Sequence, residues 1–395
     1  MTLPQQVSGE DVVIIGAGMT PVGEYWETSI RELALQAISM ARSGLAALIP
    51  DAIYVANMLA PALSAQTQLG PLISDFAGLR GVESLTIEAA GASGGAAIRQ
   101  AFLALKSGVA KSVLVIGVEK VTDRVGSEVD SALATSTDAD YEAIHGITPT
   151  SQAALLMRRY LYENDAPEDA LAGFSLTAHQ NAVTNPNAMF RQGMQLKQYV
   201  NAPMISAPLN MFDAAPLADG AAALLLARAD AIPSELTAPA VRIVASSMTS
   251  TTLALHDRPD ILRLSALESS VNQALEMGDL RLEDLDLFEL HDQYSIMAAL
   301  ALEAAGFAPR GRGWELARNG AISRSGTIPI STFGGSKARG DSGGATGVYQ
   351  VAEITRQLQG LAGENQVPDA RYGMAQCVGG VGSTAATHIL ARVEP

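Results

Sequence analysis

Four short runs in this chain hold residue types that can do chemistry together. The first is Ile87-Glu88-Ala89-Ala90-Gly91-Ala92-Ser93-Gly94-Gly95, a turn of small residues between the apolar run Leu85-Thr86-Ile87 and a segment, Ala96 to Leu105, whose Ile98, Ala101, Phe102 and Leu105 share one helical face. A turn of this build lets a ligand approach the backbone and aims the free N–H groups of a helix N-terminus at it. Position 91, where a side chain would point into such a site, carries none; the plainer reading of the run is a tight turn that packs a helix near a strand. The others are His291-Asp292-Gln293-Tyr294, Gly340-Asp341-Ser342-Gly343-Gly344 and Cys377-Val378-Gly379-Gly380. An imidazole, a carboxylate, a phenol and a thiol are the groups from which general acids, bases and oxyanion donors are drawn. Each also has a plain structural reading: a bonded histidine beside Asp292, a helix cap at Asp341, packing at Tyr294 and a small buried apolar side chain at Cys377.

These runs need elements to hold them. Val12-Val13-Ile14-Ile15 reads as a buried strand, followed by Gly16-Ala17-Gly18-Met19-Thr20-Pro21 and a helix over 29–45. The glycine pair imitates a dinucleotide fingerprint, but its third glycine is missing and Pro21 follows, so a Rossmann site is not expected. Folded against itself, the chain repeats. Residues 241–249 echo 12–20, a helix at 265–276 echoes 29–45, and 284–290 echoes 51–55. The run from Gly340 with the helix to Leu358 echoes 91–105, and 372–377 echoes 112–117. Each half alternates strands and helices, which predicts a layered α/β architecture. Between the halves, 121–210 is polar and long enough to be an inserted lobe rather than a loop. Asp219 to Ala227 closes the first half as a buried strand.

Composition narrows the classes. The chain has 395 residues, 48% hydrophobic and 17% charged, enough for a large core and two or three domains. A net charge of -15 argues against nucleic acid or anionic membrane as partners. Cys377 is the single cysteine, so no internal disulfide forms, and the five histidines stand at spacings unsuited to metal. No apolar run approaches the roughly 20 residues of a membrane span. A cytoplasmic protein without a metal is expected.

With the duplicated halves, Glu88-Ala-Ala-Gly-Ala-Ser-Gly-Gly, the run from Asp213 to Ala223, His291-Asp-Gln-Tyr, Gly340-Asp-Ser-Gly-Gly-Ala-Thr-Gly and Cys377-Val-Gly-Gly, the chain resembles the thiolase superfamily, in its sterol-carrier-protein-type branch, over nearly its whole length. The resemblance implies a duplicated αβαβα fold with two mixed five-stranded sheets. Its parts would be 1–120 plus 211–235, an inserted CoA-binding loop domain at 121–210, and 236–395. It implies an acyl-CoA thioester as substrate or ligand and no tightly bound cofactor. Family members pair through the strand before the nucleophile turn, here Ser84 to Ile87, as a dimer.

The chain departs from the family at two places. Gly91 stands where the nucleophilic cysteine would be, and Asp341-Ser342 where His-Pro would be. Without a thiolate no acyl-enzyme forms. What the resemblance keeps is a donor at His291, an acid/base at Cys377 and a backbone oxyanion hole at Gly91 and Gly379; Tyr294 or Asp341, each in a motif that lines the site, is the expected base for a substrate hydroxyl. His145, Arg158, Arg191 and Lys197 of the insert are candidates to meet CoA, with an ordinary solvated face as the alternative. Three functions stay open: enolate-based carbon–carbon cleavage or formation without an acyl-cysteine, a non-catalytic acyl-CoA-binding subunit beside an OB-fold or second thiolase-like chain, or an acyltransferase with an altered nucleophile position.

Overall fold

The computed structural model describes residues 8–393 except 235 and 237. The strands are β1 (Val12–Met19), β2 (Ala52–Ala56), β3 (Glu83–Ile87), β4 (Ser112–Glu119), β5 (Met204–Ser206), β6 (Leu209–Asn210), β7 (Gly220–Arg228), β8 (Val241–Ser250), β9 (Leu287–Leu290), β10 (Tyr372–Gly379) and β11 (Thr384–Arg392). The helices are α1 (Ile30–Ala41), α2 (Ala60–Leu63), α3 (Leu69–Phe76), α4 (Ser93–Lys106), α5 (Ser127–Ala134), α6 (Pro149–Glu163), α7 (Ala172–Ala182), α8 (Leu196–Val200), α9 (Ser265–Gly278), α10 (Ser295–Ala304), α11 (Gly313–Arg318) and α12 (Thr346–Leu358).

Local chemistry explains where these begin and end. Ser29 caps α1 in a reciprocal box: the Glu32 N–H donates to Ser29 Oγ and the Ser29 N–H to Glu32 Oε2. Its stripe Ile30, Leu33, Ala34, Ala37, Ile38 and Ala41 is buried, and each such leucine or isoleucine contributes roughly 1.5–3 kcal/mol by leaving water. The helix stops at Ala41, short of the expected Leu45, because Arg42 closes it and Gly44 turns left-handed.

One nine-stranded sheet runs β3-β2-β4-β7-β1-β8-β11-β10-β9, where two five-stranded sheets are expected from the resemblance. The halves join because β1 and β8 pair antiparallel over Val12–Ile14 and Val241–Ile243. Among the described residues the second half has no full fifth strand. The counterpart of β3 is reduced to one parallel bridge, Phe288 to Ile330, because Ser331 turns left-handed directly after it and Thr332 is drawn onto Glu289.

The layers nevertheless follow the duplicated plan. Residues Val13, Ile53, Val55 and Leu114 of the first half pack against α1 and α3. The opposite faces of those strands, with Val241, Leu287, Ala375 and Leu390 of the second half, close on α4 and α12. The far face of the second half packs against α6, α9 and α10. Helices α4 and α12 touch backbone to backbone at their starts: a Cβ on Gly94 would lie 2.8 Å from the Val348 nitrogen and 2.9 Å from Gly347 Cα. Only glycine allows that approach, and it brings the turn at Gly91 beside the turn at Asp341.

Candidate active site

The tips of β3, β9 and β10 and the turn before α12 converge on a narrow cleft with an interior of about 40 Å³, the space of one or two waters. Gly91, His291, Tyr294 and Asp341 line it, together with Leu133 of α5 and Pro149 of α6.

His291 follows β9 directly and is 1% exposed. Its Nδ1 accepts the Val378 N–H at 3.2 Å, so in the neutral ring the proton sits on Nε2. That nitrogen faces Asp341 Oδ1 at 3.6 Å, just beyond hydrogen-bond distance, and is buried without a hydrogen-bond partner. Asp341 is placed by backbone: its N–H donates to Pro216 O, and its own carbonyl accepts from Ala218 N. Oδ1 also accepts from Thr346 Oγ1 at 2.7 Å and from the Gly343 N–H at 3.2 Å. The carboxylate thus organises the start of α12 while facing His291. Burial pushes its pKa up, but the neighbouring His291 ring, the Thr346 bond and the Arg339 charge outweigh it and hold the carboxyl below the usual aspartate range.

Tyr294 precedes α10, and its hydroxyl shares a hydrogen bond of 2.9 Å with Thr150 of the insert. Burial pushes its phenol up to about 12, so it keeps its proton at neutral pH. Asp292 looks away from the cleft: Oδ1 accepts the Ser336 N–H and Oδ2 the Ser331 hydroxyl, tying down the buried segment Gly335–Arg339 that leads to Asp341.

Gly91 sits where no side chain fits. A Cβ there would lie 2.5 Å from the Val378 carbonyl oxygen and 2.9 Å from His291 Cε1. Ala90 before it is left-handed, at φ 50°.

Cys377 and Gly379 are not brought into this cleft. Strand alternation turns Cys377 to the face opposite Val378, where it is packed against Ala92 and Ala386. The sulfur lies 3.6 Å from Ala92 O, and a Cβ on Gly95 or Gly347 would stand 2.4 or 2.8 Å from it. Burial pushes this thiol up to about 12. Gly379 backs onto the Ala89 carbonyl, and Gly380, in the left-handed region at φ 56°, lines the cleft in its stead. In the insert, His145, Arg158, Arg191 and Lys197 are all exposed and none lines the cleft. Arg158 donates to Ala207 O, and Arg159 pairs with Glu163 one turn on. His179 is buried between Phe190 and Phe212.

Sequence reasoning missed Met58, Gly343 and Leu217 as lining residues and Thr150 and Thr346 as partners. Gly343, Leu217 and Thr346 lie inside runs already singled out, so their signal was adjacency. Met58 and Thr150 come from a strand tip and a helix start that nothing in the sequence aims at the site.

An α/β fold of two like halves, with a glycine turn, a histidine after a strand and a polar turn meeting at strand tips, is the architecture of the thiolases. Residues 12–206 match the family described as "Thiolase, N-terminal domain", and residues 247–392 match "Thiolase C-terminal domain-like". The chain belongs to the thiolase superfamily. It is 41% identical to an "Acetyl-CoA acetyltransferase" of Methanothermobacter thermautotrophicus, over 97% of this chain and all of that one. It is 26% identical over 321 residues to "Sterol carrier protein 2" of Bos taurus, covering 78% of this chain and 59% of that protein. Among solved structures it superposes on an "Ltp2-ChsH2(DUF35) aldolase" with a TM-score of 0.82, at 23% identity, covering 97% of this chain and 98% of that one.

Proposed function

We propose that this chain breaks or forms a carbon–carbon bond in an acyl-CoA thioester through an enolate, without an acyl-cysteine, and that retro-aldol cleavage of a 3-hydroxyacyl-CoA is its reaction. One observation carries the reading: the cleft holds a charged carboxylate and an imidazole N–H facing each other beside Gly91, where an added Cβ would press to 2.5 Å from the Val378 carbonyl oxygen.

In this reading the Asp341 carboxylate takes the proton from the substrate's 3-hydroxyl. The C2–C3 bond breaks, its electron pair moves onto the thioester as an enolate, and C3 leaves as a carbonyl. His291 Nε2–H donates to the enolate oxygen, a contribution of about 3 kcal/mol for a well-aimed donor. The protonated Asp341 returns its proton to C2, giving a shorter acyl-CoA. Tyr294, which keeps its proton, donates to the substrate oxygen. The name of the 41% identical relative supports a CoA thioester as substrate, and the aldolase and DUF35 in the name of the structural neighbour support an aldol step and a second, DUF35-type component as partner.

β3 is the open edge of the sheet, with Leu85 46% exposed, which supports pairing of two copies there. A CoA-holding role for the insert's exposed cations, the division at 121–210 and a cytoplasmic setting for the free Cys377 belong to the same reading.

The test is incubation of the purified protein, alone and with a DUF35-type partner, with a panel of 3-hydroxyacyl-CoAs. A carbonyl product trapped as its hydrazone together with a shortened acyl-CoA is expected. Binding of the thioesters with no carbonyl release would favour a non-catalytic subunit instead, and transfer of an acetyl group between CoA thioesters would favour an acyltransferase.

A further inference from the structure

Glu119 ends β4 and is fully buried. Its carboxylate accepts four hydrogen bonds. Oε1 takes Asn57 Nδ2 at 2.8 Å and the Leu59 N–H at 3.0 Å; Oε2 takes the Met58 and Gly344 N–H groups, each at 3.0 Å. Two turns remote in sequence are thereby tied together, the one after β2 and the one before α12. Both supply cleft residues, Met58 and Gly343. The tie allows no side chain between: Gly343 is left-handed at φ 49°, and a Cβ on it would lie 3.0 Å from Glu119 Oε2. Gly343 in turn donates its N–H to Asp341 Oδ1, and Thr346, one turn into the same segment, donates its hydroxyl to the same oxygen.

We infer that Glu119 is a positioning residue for Asp341: by anchoring Gly344 it aims the Gly343 N–H and the Thr346 hydroxyl at Oδ1, which keeps Asp341 charged and turned toward His291. Burial pushes the Glu119 carboxyl up to about 7, while its four donors favour the charged form; a protonated oxygen would lose at least one of them. A glutamine cannot replace it, since either placement of its NH2 turns that group onto two N–H donors.

The activity arm of the test rests on the retro-aldol reading, so a second arm does not. With 3-hydroxyacyl-CoA, Glu119→Gln is expected to lower kcat about 30-fold with KM changed less than about threefold, the signature of a misplaced base rather than lost binding. Independently, the carboxyl carbon of Asp341, assigned by its loss in Asp341→Asn, is titrated by NMR in wild type and Glu119→Gln. The groups that face that carboxyl are His291, Tyr294, Arg339 and Thr346. The expected result is an upward move of its midpoint in the variant. If wild type shows no turnover, the retro-aldol reading fails and the titration alone decides the present inference. A folded Glu119→Gln protein whose Asp341 titrates as in wild type overturns it. Should that variant fail to fold, Asn57→Ala removes one of the four donors; a smaller shift in the same direction supports the inference, and a titration superposing on wild type overturns it.

Discussion

His291 Nε2 faces Asp341 Oδ1 at 3.6 Å while its Nδ1 accepts the backbone N–H of Val378. The strand that supplies Val378 therefore fixes which imidazole nitrogen carries the proton, and the carboxylate receives that side. Replacing Asp341 with asparagine keeps an acceptor for Thr346 and Gly343 but removes the proposed base. Turnover of a 3-hydroxyacyl-CoA is expected to fall by about 10²–10⁴-fold, the range of general base catalysis. Because Asp341 is held below the usual aspartate range, the acidic limb of kcat in wild type should lie below about pH 4. An Asp341→Asn enzyme as fast as wild type would remove Asp341 from the mechanism.

Gly91→Cys tests whether the site tolerates a nucleophile. The added Cβ meets the Val378 carbonyl and the His291 ring, so the cost should be that of overpacking, about 1–3 kcal/mol in unfolding free energy. Mass spectrometry after incubation with acetyl-CoA should find no acyl adduct. A stable adduct at full stability would show that the glycine was incidental.

Cys377 gives a simple readout of how closed the layer between the half-sheets is. The thiol is buried, points away from the cleft and is pushed up to about 12, so the native protein should resist maleimides and turn over normally after exposure to them. Labelling should appear only with denaturant. Rapid modification of the folded protein with loss of activity would place the sulfur at an accessible site instead.

Tyr294→Phe removes a proton donor and the bond to Thr150. Stability should drop by about 1 kcal/mol, the worth of an ordinary hydrogen bond. The expected fall in kcat is roughly 10- to 100-fold, and unchanged kinetics would assign Tyr294 to packing.

Glu289 predicts a pH dependence of stability. Oε1 accepts from the Thr332 N–H and hydroxyl, whereas Oε2 is buried without a partner. Burial, and then the neighbouring Glu353 charge, push the carboxyl up to about 8. A carboxyl with a raised folded pKa stabilises fully below its unfolded value of about 4.3 and loses that contribution as pH rises through about 8. Thermal melts between pH 5 and 9 should fall in wild type and flatten in Glu289→Gln. Parallel curves would show that the group titrates normally.

Much of this fold was readable because its central strands are buried on both faces. β1, β4 and β7 are largely apolar runs, and the second-half echoes of β1, β2 and β4 come in the same order, so the duplication was visible in the chain alone. The seam was not: whether β1 meets β8 depends on three residue pairs that look like any other strand residues. For the site, motif adjacency found His291, Tyr294, Asp341 and Gly91. It did not place Cys377, because alternation says that Cys377 and Val378 face opposite ways without saying which way the cleft lies. Glu119 escaped for a related reason: its partners are mostly backbone N–H groups, which every sequence has.

The joining of the half-sheets also bears on how the protein is made. β7, the last strand of the first half, ends at Arg228, but the surface of α4 that meets α12 is covered only once residues 346–358 have been synthesised, and His291 meets its Val378 partner later still. A chain halted on the ribosome between those points would hold a finished half-sheet with one greasy helix face uncovered. Such fragments should aggregate or recruit chaperones, and the cleft at Gly91 is completed only near the end of translation.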